Sequence, residues 1–328
     1  MAAEPGSGTG LQAAGDDTPV IIDAHRHAWD LSRFRYPWLA DADGPLPPGW
    51  PVRYVAADFR RDSDGVPVAG SVLVEAGRED RSAEAQWLAT AAAEAGPLTA
   101  VVARVRLEAL DIASQLDGLA AAGRVCGVRQ VLNCQDEAAG RPSYGASRPD
   151  LMADPAWRRG LARLRAAGLT FDLQMEPWQL LQATGLAADF GDVTFILDHG
   201  GYLTRRSPET DRIWRAGIAA LARQPNVAVK ACDYATIDPA FDSAGFSAYV
   251  GELLGAFGPQ RVLFASNFPA ESLTVSYRRL TDEFARAVGW LSPAEQRAVW
   301  ADNAHRIYRI GSPAGQAQSV PDDDSAAP

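Results

Sequence analysis

Eight short apolar runs alternate with amphipathic stretches along this chain of 328 residues. Such alternation is the signature of βα units and a parallel sheet. Four of the amphipathic stretches open on a helix-capping residue, at Ser82, Asp154, Ser207 and Ser292. We therefore predict a single (β/α)8 barrel, the TIM-barrel architecture, over residues 19–310. The predicted strands lie near residues 19–24, 69–75, 99–106, 126–132, 169–175, 193–199, 226–232 and 261–266.

The competing architecture is an open, doubly wound sheet. That fold would favour a Gly-x-Gly-x-x-Gly turn after the first strand, where this chain has a pair of histidines instead. In a barrel, the active site lies at the carboxyl ends of the strands. Functional residues are therefore expected at those ends.

Three segments fall outside the repeat. Residues 1–18 and 311–328 are small and polar without apolar periodicity, so we expect both tails to be disordered. Residues 28–65 form an extended insertion after the first strand, rich in Trp, Tyr and Pro. A loop this long is commonly a lid or pocket wall, which would let Trp29 bind substrate. Its aromatic residues could equally plug the barrel mouth as core.

The four histidines fall into two classes. His25 and His27 follow the first apolar run two residues apart, so both imidazoles should point to the same place. His199 ends the sixth run, immediately before a Gly-Gly turn. We expect these three to form the site, whereas His305, inside a helical pattern, reads as structural.

Strand alternation predicts which side chains line the barrel. If His25 and His27 face inward, so should Asp23 and Ile21, and on the second strand Glu75 and Leu73 should share a face. The same rule places a polar set inside: Gly127, Arg129, Val131, Asn133, Asp172, Gln174, Ala228, Lys230 and Cys232, with Asn267 at the tip of the eighth strand. Charges inside a barrel are costly unless they are paired or bind something.

This polar lining has two explanations. Arg129 and Lys230 could receive an anionic group of the substrate, for which arginine is suited because it binds carboxylates through two parallel hydrogen bonds. Alternatively, these cations could pair with Glu75 beneath the site. Both explanations stay open at the level of the sequence.

Charge and cysteine content limit the partners and the compartment. The formal net charge of −10 argues against nucleic acid or an anionic membrane as partner, and no apolar run approaches the roughly 18 residues of a membrane span. Cys126, Cys134 and Cys232 show no metal or redox spacing and read as packing residues. An odd, sparse cysteine count suits a reducing compartment, so we expect a cytoplasmic protein. Its partner should be a small anionic organic substrate, and a homodimer is left open.

Several motifs together resemble the amidohydrolase superfamily, and within it the lactone hydrolases related to fuconolactonases and pyrone-dicarboxylate hydrolases. The resemblance lies in Asp23-Ala24-His25-Arg26-His27, Leu197-Asp198-His199-Gly200 and Ser266-Asn267-Phe268-Pro269, and it extends to Gly127-Val128-Arg129-Gln130, Phe171-Asp172-Leu173-Gln174 and Asn303-Ala304-His305-Arg306-Ile307-Tyr308. It implies that His25, His27 and His199 surround a scissile carbonyl or hold one divalent ion, Zn²⁺ or Mn²⁺. It also implies a carboxylate at the tip of the eighth strand.

The sequence departs from this pattern at that carboxylate. Asn267 stands where the lactonases typically carry Asp, and an amide cannot take up a proton as a carboxylate does. Leu73 replaces a histidine of the second strand, and Gln174 occupies a metal-ligand position of the metal-dependent relatives. Asp233, directly after the seventh strand, Glu75 and the histidine pair are the candidates to replace the base.

Three hypotheses follow. The first is a hydrolase that opens a lactone or related cyclic ester of a small carboxylated substrate, with His25, His27, His199, Asn267 and Asp233 as catalytic residues. Substrate would be bound by Arg129, Lys230, Glu75, Gln174 and Trp29. The second keeps the fold but replaces hydrolysis with lyase, decarboxylase, isomerase or cyclase chemistry of secondary metabolism. The third is a catalytically silent binding protein.

Overall fold

The computed structural model describes residues 19–36, 49–77, 81–134, 148–203 and 206–310. Eight parallel strands form one sheet in sequence order, as predicted. They are β1 Ile21–Arg26, β2 Val68–Val74, β3 Thr99–Arg104, β4 Val125–Arg129, β5 Thr170–Leu173, β6 Phe195–Leu197, β7 Val227–Ala231 and β8 Val262–Phe264. The last strand returns to the first, because the Asn267 amide donates to the His25 carbonyl at 2.8 Å and the His27 amide to the Phe268 carbonyl at 2.7 Å. The predicted (β/α)8 barrel is confirmed.

Helices connect the strands and cover the barrel. They are α1 Ala56–Asp62, α2 Arg81–Ala95, α3 Ile112–Ala121, α4 Pro155–Leu161, α5 Leu164–Ala167, α6 Leu180–Asp189, α7 Pro208–Leu221, α8 Tyr234–Ile237, α9 Ser243–Phe257, α10 Tyr277–Val288, α11 Pro293–Arg297 and α12 Asn303–Tyr308. Three of the four predicted caps begin helices, at α4, α7 and α11. Asp154 accepts from the Ala156 and Trp157 amides, and the Ser207 and Ser292 hydroxyls each accept from an amide three residues on. The prediction at Ser82 is wrong, because α2 already begins at Arg81.

Two apolar clusters divide the core. The outer cluster lies between strands and helices, and the inner one fills the barrel with Ile22, Val72, Ile196 and Leu263. The last helix, α12, closes the inner cluster from below, because its Ala304, Ile307 and Tyr308 belong to it. His305 on the same helix is exposed, away from the histidines above.

The inward face of β1 and β2 differs from the predicted one. Ile21 and Leu73 pack in the outer cluster, whereas Ala24 packs in the inner one. The register between β1 and β2 shifts between Asp23 and Arg26, and this irregularity lets Ala24 and His25 both face inward. Asp23 instead accepts hydrogen bonds from Ser266 and Tyr277, which tie β1 to the end of β8 and to α10.

The insertion after β1 packs its first aromatic residue as core. Trp29–Asp30 pairs with Arg53–Tyr54 in a short antiparallel ribbon. Trp29 is fully buried, donates to the Pro51 carbonyl at 2.8 Å and stacks on Trp50. Trp29 thus packs as the core alternative describes, whereas its role toward a substrate stays a prediction. Residues 37–48 of the insertion and the tails 1–18 and 311–328 lie outside the described residues.

None of the described helices is long and apolar enough to cross a membrane.

Candidate active site

Three imidazoles meet at the carboxyl end of the barrel. The Nε2 atoms of His25 and His27 are 3.3 Å apart, and the ring centroids of His25 and His199 are 4.7 Å apart. All three rings are buried. The structure thus brings together the three histidines that the sequence singled out.

A strained turn positions His199. The residue has a left-handed backbone with φ of 54°, followed by Gly200 at 53°. A Cβ at Gly200 would lie 2.0 Å from the Tyr249 hydroxyl, so only glycine fits there. The Gly200 carbonyl accepts from the Trp214 indole at 2.7 Å. Asp233 and Asn267, which follow β7 and β8, are also left-handed, with φ of 65° and 53°. Strained residues at three successive strand ends are typical of a functional site.

Burial keeps the imidazoles uncharged. Together with the nearby Arg129 guanidinium, it lowers the pKa of His27 to about 4, and burial lowers that of His199 to about 3. His27 Nδ1 lies 3.0 Å from the Val74 carbonyl, which can only accept, so the ring proton sits on Nδ1 and Nε2 carries a lone pair. His25 Nδ1 lies 3.2 Å from the Lys230 ammonium and 3.4 Å from Asp198 Oδ1.

Beneath the histidines lies a buried charge cluster of five side chains: Glu75, Arg129, Asp172, Asp198 and Lys230. Asp198 is at its centre, with Oδ2 at 3.1 Å from Arg129 Nη1 and Oδ1 at 2.8 Å from Lys230 Nζ. Arg129 also binds Glu75 at 2.6 Å, and Lys230 binds Asp172 at 2.5 Å. Two cations therefore face three carboxylates, and the cluster carries one excess negative charge when all five groups are ionised.

The cluster's electrostatics follow from this pairing. Burial opposes ionisation of Asp198, but Lys230 and His25 hold its pKa well below the usual range. Asp172 is less fully compensated, so burial raises its pKa to about 6 despite Lys230. The Tyr308 hydroxyl reaches Asp172 at 2.9 Å from α12 below.

Lys230 and Arg129 are both ion-paired beneath the site, as the second explanation of the polar lining predicts, and each has partners beyond Glu75. Lys230 is fully buried, and its partners are Asp172 and Asp198 rather than Glu75. Arg129 pairs with Glu75 as that alternative expects, and with Asp198 as well. Both cations are thus engaged by carboxylates of the chain itself. Gln174 lies at the rim of the cluster, where its Oε1 accepts from Arg129 Nη1 at 2.8 Å, so its amide nitrogen points elsewhere.

The Asp233–Asn267 pair lies beside the histidines. Asp233 Oδ1 accepts from Asn267 Nδ2 and from the Thr236 hydroxyl, each at 2.8 Å. Burial raises the pKa of Asp233 to about 6. Because Asn267 turns its nitrogen to the carboxylate, its Oδ1 faces away, buried and without a hydrogen-bond partner among the described residues.

Cys232 joins the site against the sequence expectation. In the described part of the chain, His25, His199 and Cys232 form a group whose potential metal-ligating atoms all lie within 4.8 Å of one another. The predicted metal set was His25, His27 and His199, but His27 lies outside this group. Cys134 packs in the outer cluster, in line with its expected packing role.

Three comparisons place the chain among known proteins. The profile of the amidohydrolase family matches residues 22–310. The uncharacterized protein y4mH of Sinorhizobium fredii is 32% identical, with 89% of this chain and 99% of that protein covered. The L-fucono-1,5-lactonase of Burkholderia multivorans is 28% identical, with 89% and 97% covered.

Solved structures agree on the fold. An amidohydrolase from Burkholderia multivorans superposes with a TM-score of 0.75 when it holds HEPES and 0.72 when it holds Zn, at 24% identity and with 89% of this chain and 99% of that one covered. Together with the family match over almost the whole barrel, this establishes that the chain belongs to the amidohydrolase family.

Proposed function

We propose that this protein is a hydrolase that opens a lactone or a related cyclic ester. The observation that carries the proposal is the meeting of three uncharged imidazoles at the carboxyl end of the barrel, where Asp233 directly follows Cys232, the neighbour of His199. A lactonase among its relatives, matched along nearly its whole length, supports the same reaction class.

Asp233 takes the role of base that Asn267 cannot fill. Its Oδ1 is fixed by Asn267 and Thr236, while no described residue donates to Oδ2. A carboxylate with one oxygen held and the other open can accept a proton from an attacking water. Asn267 offers its free Oδ1 as an acceptor that orients this water.

The imidazoles act on the scissile carbonyl. His27 keeps its proton on the side of Val74, so its Nε2 lone pair faces the site, while His25 and His199 stand beside it. An N–H of His25 or His199, or a cation held by the imidazoles, would stabilise the negative charge that develops on the carbonyl oxygen, whereas the lone pair of His27 can serve only as an acceptor or ligand.

The donor set fits a divalent ion. The potential ligand atoms of His25, His199 and Cys232 all lie within 4.8 Å of one another, and imidazole nitrogen and thiolate sulfur are donors that zinc binds. The excess negative charge of the cluster below favours a cation above it. Nitrogen and sulfur donors favour Zn²⁺ over Mn²⁺. Such an ion, when bound, polarises a carbonyl and acidifies water.

The charge cluster also bears on the substrate. The sequence favoured an anionic substrate, but Arg129 and Lys230 are already neutralised by three carboxylates. Four of the five N–H groups of Arg129 are used by Glu75, Gln174 and Asp198. One remaining donor cannot form a bidentate clamp. We therefore expect a neutral lactone to be turned over better than its carboxylated counterpart.

A panel of lactones tests the proposal. Wild type should hydrolyse at least one neutral lactone, and His199→Ala should lower its kcat/KM by about 10²-fold or more, the scale of a lost acid/base or electrostatic group. His305→Ala is the matched control, since this histidine is exposed on α12 and should leave kcat/KM unchanged. No turnover of any lactone, in metal-free protein or with added Zn²⁺ or Mn²⁺, would exclude lactone hydrolysis and favour non-hydrolytic chemistry.

A further inference from the structure

Cys232 stands in an unusual place for a packing residue. It follows β7 directly, is fully buried, and its Sγ lies 3.4 Å from His199 Nδ1. Lys230, two residues earlier on the same face, is part of the charge cluster. The thiol therefore contacts an imidazole that lines the site, and β7, which it follows, also carries a member of the charge cluster.

Two ordinary roles account poorly for this position. Packing alone would be served by Ala or Val, which place no sulfur against an imidazole nitrogen. A nucleophile must reach the substrate as a thiolate, but Cys232 is fully enclosed and burial raises the pKa of its thiol well above the usual value. The position does place a sulfur atom, a soft metal ligand, next to the imidazole nitrogens of His25 and His199.

The geometry matches metal coordination. With a Zn–N bond of about 2.0–2.1 Å and a Zn–S bond of about 2.3 Å, a tetrahedral ion places nitrogen and sulfur about 3.5 Å apart, against the 3.4 Å observed between His199 Nδ1 and Cys232 Sγ. His25 completes a set of three donors from the ends of β1, β6 and β7.

Carboxylates do not complete this donor group in the described part of the chain. The Asn267 amide is neutral and turns its nitrogen to Asp233, and Asp233 Oδ1 is occupied by two donors. None of the carboxylates in the described residues belongs to the His25–His199–Cys232 group.

We propose that Cys232 is a thiolate ligand of a zinc-type ion, with His25 and His199 as the nitrogen ligands. The inference deepens the proposed function and rests on it. On binding, the ion displaces the thiol proton, which leaves to solvent, and a metal–sulfur bond replaces the S–H bond. The site then selects Zn²⁺ or Co²⁺ over Mn²⁺.

Cobalt substitution of the full-length protein tests this assignment. Metal-free protein titrated with Co²⁺ should bind one equivalent and develop the near-ultraviolet absorption of thiolate-to-cobalt charge transfer. Cys232→Ser should abolish that absorption and weaken Co²⁺ binding at least tenfold, since loss of a residue that merely supports a ligand already costs about 10–100-fold. Cys134→Ser is the control and should keep both properties. Absent charge transfer in wild type, or an unchanged spectrum in Cys232→Ser, overturns the assignment.

Lactone hydrolysis measured on the same samples separates this inference from the proposed function. Turnover without a cobalt–thiolate spectrum refutes the ligand role of Cys232 and leaves the hydrolase intact. A cobalt–thiolate spectrum without turnover of any lactone supports the ligand and refutes the hydrolase.

Discussion

The two ends of the barrel interior are built on different principles. The lower end is filled by apolar side chains such as Ile22, Val72 and Leu263 and is closed by α12. The upper end holds five buried charges beneath three histidines. When atoms are removed from apolar packing, the protein loses stability in proportion to the cavity that forms. When one partner is removed from a buried charge cluster, the loss is large because another charge remains buried without a counter-charge.

The largest loss should follow removal of a cation from the cluster. Lys230→Met leaves Asp172 and Asp198 buried without their shared ammonium, so the free energy of unfolding should fall by about 3–5 kcal/mol in denaturant titrations. Arg165→Met, at an exposed pair with Asp192, is the control and should cost less than about 1 kcal/mol. Equal effects of the two variants would remove the distinction between the cluster and surface ion pairs.

A cavity at the lower end should cost slightly less and leave the chemistry alone. Leu263→Ala should lower the free energy of unfolding by about 2–5 kcal/mol, because Leu263 is fully buried. Its kcat/KM per folded molecule should stay at the wild-type value. Leu110→Ala, at a fully exposed leucine, should change neither quantity. A selective loss of kcat/KM in Leu263→Ala would show that the two ends are coupled.

Tyr308 connects the two ends, because its ring belongs to the inner apolar cluster and its hydroxyl binds Asp172 of the charge cluster. Tyr308→Phe keeps the packing of α12 but removes the hydroxyl that reaches Asp172. We expect a loss of about 1.5–3 kcal/mol, the worth of a hydrogen bond to a charged group, in the same denaturant titration. A loss near zero would mean that Lys230 alone satisfies Asp172.

The smallest effect concerns the chemical reactivity of Lys230, which is the only lysine in the sequence. Because its ammonium is fully buried between two carboxylates, an amine-acylating reagent should modify only the terminal amine of the native protein. Lys230 should react after unfolding in urea. Peptide mass spectrometry reads both states, and rapid native acylation of Lys230 would show that the cluster opens to solvent.

Sequence reasoning succeeded where local rules govern. The strands follow from apolar runs, the caps from Asp154, Ser207 and Ser292, and the histidine convergence from the rule that strand ends meet at one face of a barrel. The prediction of the inward face of β1 was wrong because a register shift changes the alternation between Ala24 and His25. The identities of single residues do not indicate such a shift.

The missed residues needed contacts between distant segments. Cys232 joins His25 and His199 across three strand ends, so no local cysteine spacing could reveal it. Asp198 was visible beside His199, but which way its side chain points depends on the strained turn that follows β6. Lys230 did carry a signal, since a lone lysine in an arginine-rich chain, placed on an inward strand position, indicates a special environment.

Moving the carboxylate between positions 233 and 267 tests the central claim most directly. Asp233→Asn keeps the shape of the pair but removes the base, so kcat/KM on the best lactone should fall by about 10²–10⁴-fold without a change in melting temperature. The double variant Asp233→Asn with Asn267→Asp returns a carboxylate to the tip of the eighth strand and should recover part of that loss. Unchanged kcat/KM in Asp233→Asn would contradict the account.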